Sequence, residues 1–117
     1  MKVKRIVTNI KTDEPDKARQ FYEVIFGMSL VMDQGWIMTY GSGERMDVQI
    51  SFASEGGSGT LVPDISIEVD DLEEVLLRCV SAGVEIVYGP AEESWGVKRF
   101  YVRDPFGKLV NVLVHIK

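Results

Sequence analysis

Apolar residues recur along the chain at helical spacing in two separate segments. Each segment has apolar side chains at i, i+3, i+4, i+7 and i+8, the pattern of an amphipathic helix. A glycine follows each one, Gly27 after the first and Gly83 after the second, where helices commonly end. The apolar positions are Ala18, Phe21, Tyr22, Ile25 and Phe26, and then Leu72, Val75, Leu76, Cys79 and Val80. The chain is therefore predicted to contain two helices.

Segments rich in β-branched and aromatic residues, many with alternating polar positions, predict strands on both sides of each helix. The order strand–helix–strand–strand–strand occurs twice, with an offset of about 56 residues. Neither half buries enough apolar surface alone, so we expect a single α+β domain with a shared core. The predicted strands cover residues 3–10, 29–32, 36–40, 47–52, 64–69, 85–88, 97–102 and 109–114.

The two predicted modules, residues 1–53 and 64–117, are joined by a glycine- and serine-rich segment at 54–63. A glycine-rich segment can hold phosphate, but this one opens no predicted helix and lacks a Gly-Lys-Ser/Thr ending. Its composition is that of a flexible linker. We therefore predict a linker between the modules.

The last two predicted strands flank the turn sequence Asp104-Pro105-Phe106-Gly107. Proline presets φ for the second position of a turn, and glycine supplies a positive φ. In the strand that follows, Asn111 lies between two leucines on one face. A buried amide requires a hydrogen-bond partner or a ligand, so Asn111 is a candidate site residue.

Composition excludes several classes of function. The net charge of −5 with scattered acids argues against nucleic-acid binding. One cysteine permits no intrachain disulfide, and no apolar run approaches the length of a membrane span. The first ten residues carry charge without the apolar segment of a secretory signal. We expect a cytoplasmic protein with no membrane partner.

The terminal hairpin and both helices carry a family resemblance. A strand, Asp-Pro-x-Gly and a strand with a polar residue four positions after the glycine resemble the vicinal oxygen chelate superfamily. The segments TDEPDKARQFYEVIFGMSL and PDISIEVDDLEEV are similar to its first helix and to its fifth strand and second helix. The superfamily includes glyoxalase I, extradiol dioxygenases, and fosfomycin- and bleomycin-resistance proteins. The resemblance implies two βαβββ modules whose mixed sheets curl into a cup, with helices outside.

The same resemblance implies that the metal ligands of the family are mostly absent. Metal-using members place a His or Gln on the first strand, where residues 5–9 have no His, Gln or acid. Gln49, Asp64 and Asn111 stand at the other three ligand positions. Such a set is poor for Ni, Zn or Fe, so we expect neither metal nor cofactor. Alternatively, these side chains simply hydrogen-bond one another or water in the cup.

Aromatic residues near the predicted turns are the remaining candidate ligand contacts. Flat rings with a polar tip suit a planar or aromatic ligand. The tryptophans can equally plug the cup or line a dimer interface. His115 shares a strand face with Asn111, but its ordinary interpretation is an exposed strand end. The candidate ligand-binding residues are Trp36, Tyr40, Gln49, Trp95, Phe100, Asn111 and His115.

Two functions are compatible with these residues. The resemblance is nearest in character to the bleomycin-resistance or glyoxalase-like branch, which implies a metal-independent homodimer that sequesters a small organic molecule. The alternative is a glyoxalase-like lyase or isomerase, or a dioxygenase-related enzyme. In that enzyme Asp64 would be the catalytic acid or base, with Gln49 and Asn111 polarising a carbonyl.

Overall fold

The computed structural model describes residues 5, 7–45 and 51–116. The chain divides into two compact units, Met1–Ser54 and Glu55–Lys117. The described residues combine helices with six strands in two sheets, which confirms the α+β class. None of the described helices is long and apolar enough to cross a membrane.

The first unit begins with a helical segment in the predicted place. A 3₁₀ turn, Pro15–Lys17, leads into Arg19–Ile25, where the hydrogen bonds are of the wider π type. Phe21 and Ile25 are buried. Gly27 then has φ 68°, a left-handed conformation that glycine adopts without strain. The apolar spacing thus predicted a helix correctly but not its wider pitch.

The two strands among the described residues of the first unit form the predicted hairpin. Strand β1, Ser29–Asp33, pairs antiparallel with β2, Met38–Gly41. The turn is closed by the Asp33 carboxylate, which accepts the N–H of Gly35 at 2.9 Å. Gly35 has φ 82°, which the turn requires of it.

Two other strands predicted for the first unit are not confirmed. They fall partly on residues 1–4, 6 and 46–50, which lie outside the described residues. Residues 7–10 and 51–52 are described and are not in strands. The first module and the curled sheet therefore stay predictions. The expectation that both modules form a single domain is also still a prediction.

The second unit has the complete strand–helix–strand–strand–strand order. Its sheet has the strand order β3-β6-β5-β4, in which β3 is parallel to β6 and the other neighbours are antiparallel. This order confirms the predicted module. The elements are β3 (Ile65–Glu68), α1 (Leu72–Ser81), β4 (Ile86–Glu93), β5 (Val97–Arg103) and β6 (Leu109–His115).

Helix α1 begins and ends at the predicted residues. The carboxylate of Asp71 accepts the N–H of Glu74 at 3.1 Å. This bond satisfies one of the backbone donors that a helix start leaves free. Gly83 follows the helix with φ 74°.

One face of the sheet, which we call the helix face, packs under α1. Lys98 on this face places its Nζ 3.1 Å from the Glu73 Oε1 of the helix, which fixes the side on which α1 lies. The apolar side chains of the helix and of this face form the core of the unit. Its buried members are Leu72, Val75, Cys79, Phe100, Val102, Val110 and Val112.

Strand β4 is longer than predicted. The sequence predicted a strand at 85–88 ended by a turn at Gly89-Pro90, whereas β4 runs from Ile86 to Glu93. The register with β5 shifts between Tyr88 and Ala91, so Gly89 and Pro90 form an irregular step inside the strand. Turn-forming residues were thus accommodated within the strand rather than ending it.

The terminal hairpin has the predicted turn. The Asp104 carboxylate accepts the N–H groups of Phe106 at 2.8 Å and Lys108 at 2.9 Å. Gly107 has φ 79°. Across this turn β5 and β6 pair so that Tyr101 stands opposite Asn111, which sets the geometry of the site.

Candidate ligand-binding face

The side of the sheet opposite α1 carries most of the buried polar side chains, and we call it the polar face. Because side chains alternate along strands, the registers of the four strands place these residues on one side. Buried polar groups need partners, so the contacts of each one are informative. The polar face comprises Ser66, Glu68, Tyr88, Glu93, Arg99, Tyr101, Asn111 and His115.

Asn111 lies in the middle of β6 with 8% of its surface exposed. Its Nδ2 donates to the Oγ of Ser66 on the neighbouring strand at 3.2 Å. Its Oδ1 is buried and finds no hydrogen-bond partner among the described residues. A buried acceptor without a partner costs about 1–3 kcal/mol. We call this oxygen the open acceptor.

Asp64 and His115 lie at opposite ends of the β3–β6 pair. The Asp64 carboxylate accepts the N–H of Leu109 at 2.8 Å, and the Asp64 N–H donates to the Leu109 carbonyl at 2.8 Å. Asp64 thus fixes the start of the parallel pairing. At the other end, His115 Nδ1 lies 2.6 Å from Glu68 Oε2, and both side chains are largely exposed. An exposed pair of this kind contributes at most about 1 kcal/mol.

Arg99 is the centre of a second buried group on the polar face, with 3% of its surface exposed. Its Nε donates to Glu93 Oε1 at 3.3 Å, and its Nη1 donates to the Tyr101 hydroxyl at 2.9 Å. Its Cζ lies 5.4, 5.0 and 5.0 Å from the ring centroids of Tyr88, Trp95 and Tyr101. The charge is therefore paired and surrounded by ring faces, as a buried guanidinium requires. We call these five residues the Arg99 cluster.

The glycine-rich segment predicted as a flexible linker is fastened to the Arg99 cluster. Arg99 donates to the carbonyls of Gly56 at 2.8 Å and Gly57 at 3.2 Å. The Tyr101 hydroxyl donates to the Leu61 carbonyl at 3.2 Å. We call residues 56–61 the strap loop. The linker prediction is corrected here, because backbone carbonyls of these residues satisfy a buried cation of the second unit.

The Glu93 carboxylate holds a negative charge inside the cluster. Hydroxyl donors from Ser58 and Tyr88, each at 2.5 Å, together with Arg99, hold the pKa of Glu93 below its ordinary value against the opposing effect of burial. The pKa of Tyr88 is raised, mainly because its hydroxyl donates to Glu93. The geometry thus favours an ionised Glu93 beside Arg99.

The two aromatic candidates of the second unit lie in different environments. Trp95 is in the turn between β4 and β5, is 52% exposed, and contacts Arg99 with its ring. Phe100 is fully buried on the helix face, whereas Asn111 is on the polar face. The structure therefore separates Phe100 from Asn111, which corrects the expectation that they share a pocket.

The candidates in the first unit are placed as follows. Trp36 is 77% exposed beside the turn of the β1–β2 hairpin. Tyr40 lies in β2, and its hydroxyl is buried without a partner in the part of the chain that the structure describes. Gln49 lies outside the described residues. The ligand-binding roles of these residues stay predictions.

Cys79 has the core position predicted for it. It is fully buried on the apolar side of α1. Burial raises the pKa of the Cys79 thiol to about 11. Because the thiolate is the reactive form, this cysteine is inert near neutral pH.

The Arg99 cluster was missed by sequence reasoning, although one signal of it was present. Arg99 lies between Val97 and Tyr101 on one face of a strand that is rich in apolar and aromatic residues. A charged residue on such a strand face is almost never fully buried unless it is paired. That position could have identified Arg99 as half of a buried pair, with Glu93 as a candidate partner across the tight turn.

The βαβββ order and mixed sheet of the second unit place the protein in the class of glyoxalase-type α+β folds. The family model described as the Glyoxalase/Bleomycin resistance protein/Dioxygenase superfamily matches residues 4–112. The chain therefore belongs to that superfamily, which confirms the resemblance found in its sequence. Among curated proteins, none matches the chain significantly.

Solved structures show the same fold. TioX from Micromonospora sp. ML1 is 25% identical, with 88% of this chain and 89% of that chain covered and a TM-score of 0.60. TnmS3, described as an antibiotic binding protein from Streptomyces sp. CB03234, is 18% identical over 98% and 96%, with a TM-score of 0.67. Lactoylglutathione lyase from Agrobacterium tumefaciens is 20% identical over 97% and 92%, with a TM-score of 0.66.

The described donors do not fit the metal that metal-using relatives hold. Asp64 uses its carboxylate to accept the Leu109 N–H, and Asn111 offers an amide whose nitrogen already donates to Ser66. Ni, Zn and Fe favour imidazole and carboxylate ligands. Across residues 5, 7–45 and 51–116, no group of three or more His, Cys, Asp or Glu side chains is placed to hold a metal ion.

Proposed function

We propose that this protein binds a planar or aromatic small molecule on the polar face and sequesters it without a metal. Asn111 carries this proposal, because it occupies the position where the resemblance places a metal-binding glutamate. Its amide is buried beside Ser66, and its open acceptor could accept a hydrogen bond from a ligand, which supports the proposal. An uncharged amide is a weaker ligand than a carboxylate for Ni, Zn or Fe, and it is well suited to hydrogen bonds with a small molecule.

Two further observations support a binding role. The same fold occurs in TnmS3, which is described as an antibiotic binding protein; at 18% identity we take from it only that this fold accommodates an antibiotic. In addition, Trp95 exposes half of its surface while its ring contacts Arg99. A partly exposed ring held in this way suits stacking with a planar compound. Trp36, Tyr40, Gln49 and His115 are further candidate contacts.

The proposal is tested by thermal-shift titration of the full chain with bleomycin-like and planar aromatic compounds. A ligand that binds only the folded state raises Tm with concentration, equivalent to about 2.7 kcal/mol at a hundredfold excess over Kd. We expect Asn111→Leu and Trp95→Ala to reduce this shift. Gln20→Leu is the matched control, because Gln20 is an exposed amide in the helical segment of the first unit. The absence of any shift across the panel would contradict the proposal.

Metal independence has its own test. Protein purified without chelator is analysed for bound metals by mass spectrometry, and we expect less than stoichiometric amounts of each. Stoichiometric Ni, Zn, Mn or Fe would overturn this part of the proposal. Binding of the small molecule in the presence of a strong chelator provides the second measurement.

We further propose a cytoplasmic homodimer. The single cysteine, which permits no intrachain disulfide, supports the location, and the resemblance supports the dimer. Light scattering at micromolar concentration checks the dimer, which has twice the chain mass of 13.1 kDa. Fractionation of cells expressing the full chain checks the location.

An enzymatic role for Asp64 has less support than the binding role. Its carboxylate oxygen and its N–H both bond with the backbone of Leu109, which favours a role in strand pairing. The test is turnover of a glyoxal-derived thiohemiacetal by the unmodified chain and by Asp64→Asn. Turnover that is lost on the substitution would restore the enzymatic interpretation.

A further inference from the structure

The hydrogen bonds around Asn111 restrict the chemistry of what it binds. We infer that the ligand is a neutral planar compound that donates an O–H or N–H to the Oδ1 of Asn111. This inference rests on the proposed function and names its ligand class. The open acceptor, the buried oxygen without a partner in the described part of the chain, is the observation that carries it.

The nitrogen of the amide already has one partner. Parallel pairing puts Ser66 directly beside Asn111, and Nδ2 donates to the Ser66 Oγ at 3.2 Å. The pairing of β3 with β6 holds both residues in place. The polar atom of Asn111 that has no partner among the described residues is thus the acceptor Oδ1, and a donor on the ligand would satisfy it.

Two other hydrogen-bonding groups of the polar face, on Tyr101 and His115, already have partners. The Tyr101 hydroxyl, opposite Asn111 on β5, bonds with the Thr60 hydroxyl at 3.0 Å and the Leu61 carbonyl at 3.2 Å. At the end of β6, His115 is paired with Glu68. Since these groups already have partners, a ligand donor is the group that can offset the cost of the buried oxygen.

The surroundings of Asn111 favour a neutral donor over a cation. Leu109 and Leu113 flank it on the same face of β6, and Leu109 is buried. Burial of a cation requires an opposite charge at hydrogen-bond distance. Glu93 is already paired with Arg99, and Glu68 with His115. Phenolic hydroxyls and indole or amide N–H groups therefore fit the position.

The test compares pairs of small probes that differ only in the donor. The pairs are phenol with anisole and indole with 1-methylindole, since methylation removes the donor and retains the ring. Affinities are measured by nuclear magnetic resonance titration of the ¹⁵N-labelled full chain. The side-chain signal of Asn111, assigned by its absence in N111D, reports contact at the site. Small probes are chosen because the Asn111 Oδ1 is buried, so a probe has to displace the atoms that cover it.

We expect the donor member of each pair to bind about tenfold more tightly, the scale of one hydrogen bond to a buried group. The preference is expected to disappear in Asn111→Leu and to persist in Asn111→Asp, which keeps an acceptor. Gln20→Leu, at an exposed amide in the helical segment of the first unit, serves as the control and should retain the preference.

The outcomes separate this inference from the proposed function. Equal binding of both members of each pair would overturn the donor requirement and leave small-molecule binding intact. A preference that survives in Asn111→Leu would move the donor contact away from Asn111 and so overturn the inference as well. Failure of every probe to bind, together with no shift in the thermal panel, would overturn both.

Discussion

Arg99 and Asn111 lie on neighbouring strands of the same sheet face, and both are buried. Arg99 donates to the Glu93 carboxylate, the Tyr101 hydroxyl and two backbone carbonyls of the strap loop. Asn111 makes one side-chain bond, to Ser66, and keeps the open acceptor. Burial of a polar side chain is therefore not in itself a sign of a binding site. Saturated contacts indicate a structural anchor, and an unsatisfied atom is the better candidate for a contact with a ligand.

The largest effect is expected from Arg99→Met. The substitution leaves the buried Glu93 carboxylate and two loop carbonyls without their donor, and breaking a buried ion pair costs about 3–5 kcal/mol. Urea denaturation measures the change, with the exposed Arg78→Met as the control. A loss below about 1 kcal/mol would show that the cluster is not the anchor described above. The double variant Arg99→Met/Glu93→Gln should recover part of the loss.

Acidification should weaken the same anchor. Because the pKa of Glu93 is below its ordinary value of 4.5 in the folded protein, its contribution to stability is present above pH 4.5 and is lost as the pH falls through the folded pKa. Urea denaturation over a series of acidic pH values measures this decline. Glu93→Gln should reduce the decline of stability with falling pH in that range. Glu74→Gln, at an exposed position, should leave this decline unchanged. An unchanged slope in Glu93→Gln would exclude Glu93 as its source.

A smaller effect is expected in the strap loop. Gly57 and Gly59 both have positive φ, 85° and 74°, so alanine at either position is strained by about 1–2 kcal/mol. A Cβ on Gly57 would also lie 2.6 Å from Trp95 Cη2, whereas nothing lies within 4 Å of one on Gly59. Gly57→Ala should therefore lose about 1 kcal/mol more than Gly59→Ala. Equal losses would show that the ring of Trp95 moves aside freely.

The smallest change in stability is expected for Asn111→Leu. The variant loses the bond to Ser66 but also removes the open acceptor, so these terms offset to within about 1 kcal/mol. Thermal denaturation of the protein alone measures the change, with Ser66→Ala reporting the lost bond. A loss near that of Arg99→Met would place Asn111 among the anchors. A large loss of stability in Arg99→Met and a small one in Asn111→Leu would distinguish the structural role of Arg99 from the proposed ligand-binding role of Asn111.

Much of the second unit could be predicted from its sequence because its signals are local. The spacing of apolar residues on α1, the Asp71 cap and the turn after Asp104 each depend on a few adjacent residues. The irregular step at Gly89-Pro90 was misjudged, since those residues suit a turn as well as a distorted strand. The pairing of β4 with β5 determines that a distorted strand, and not a turn, forms at these residues. Strand pairing depends on residues that are distant in sequence, so it is not a local signal.

The site was predictable to a smaller degree. Asn111 was identifiable because an amide between leucines on one strand face requires a partner. Phe100 was assigned to the pocket, although it alternates with Arg99 and therefore points to the helix face. The partners of Arg99 include the carbonyls of Gly56 and Gly57, more than forty positions away. Backbone carbonyls are the same in every residue, so no sequence pattern marks them.

The attachment of the strap loop to Arg99 also determines where this chain tolerates engineering. The unit boundary follows Ser54, so the glycine-rich residues beyond it are structural parts of the second unit. An inserted peptide or a protease site should be accepted between Ser54 and Glu55, where the side chains are exposed. The same insertion two or three residues later would disconnect a buried guanidinium from its carbonyl acceptors. A segment whose composition resembles a spacer is thus an unsuitable place to cut the chain.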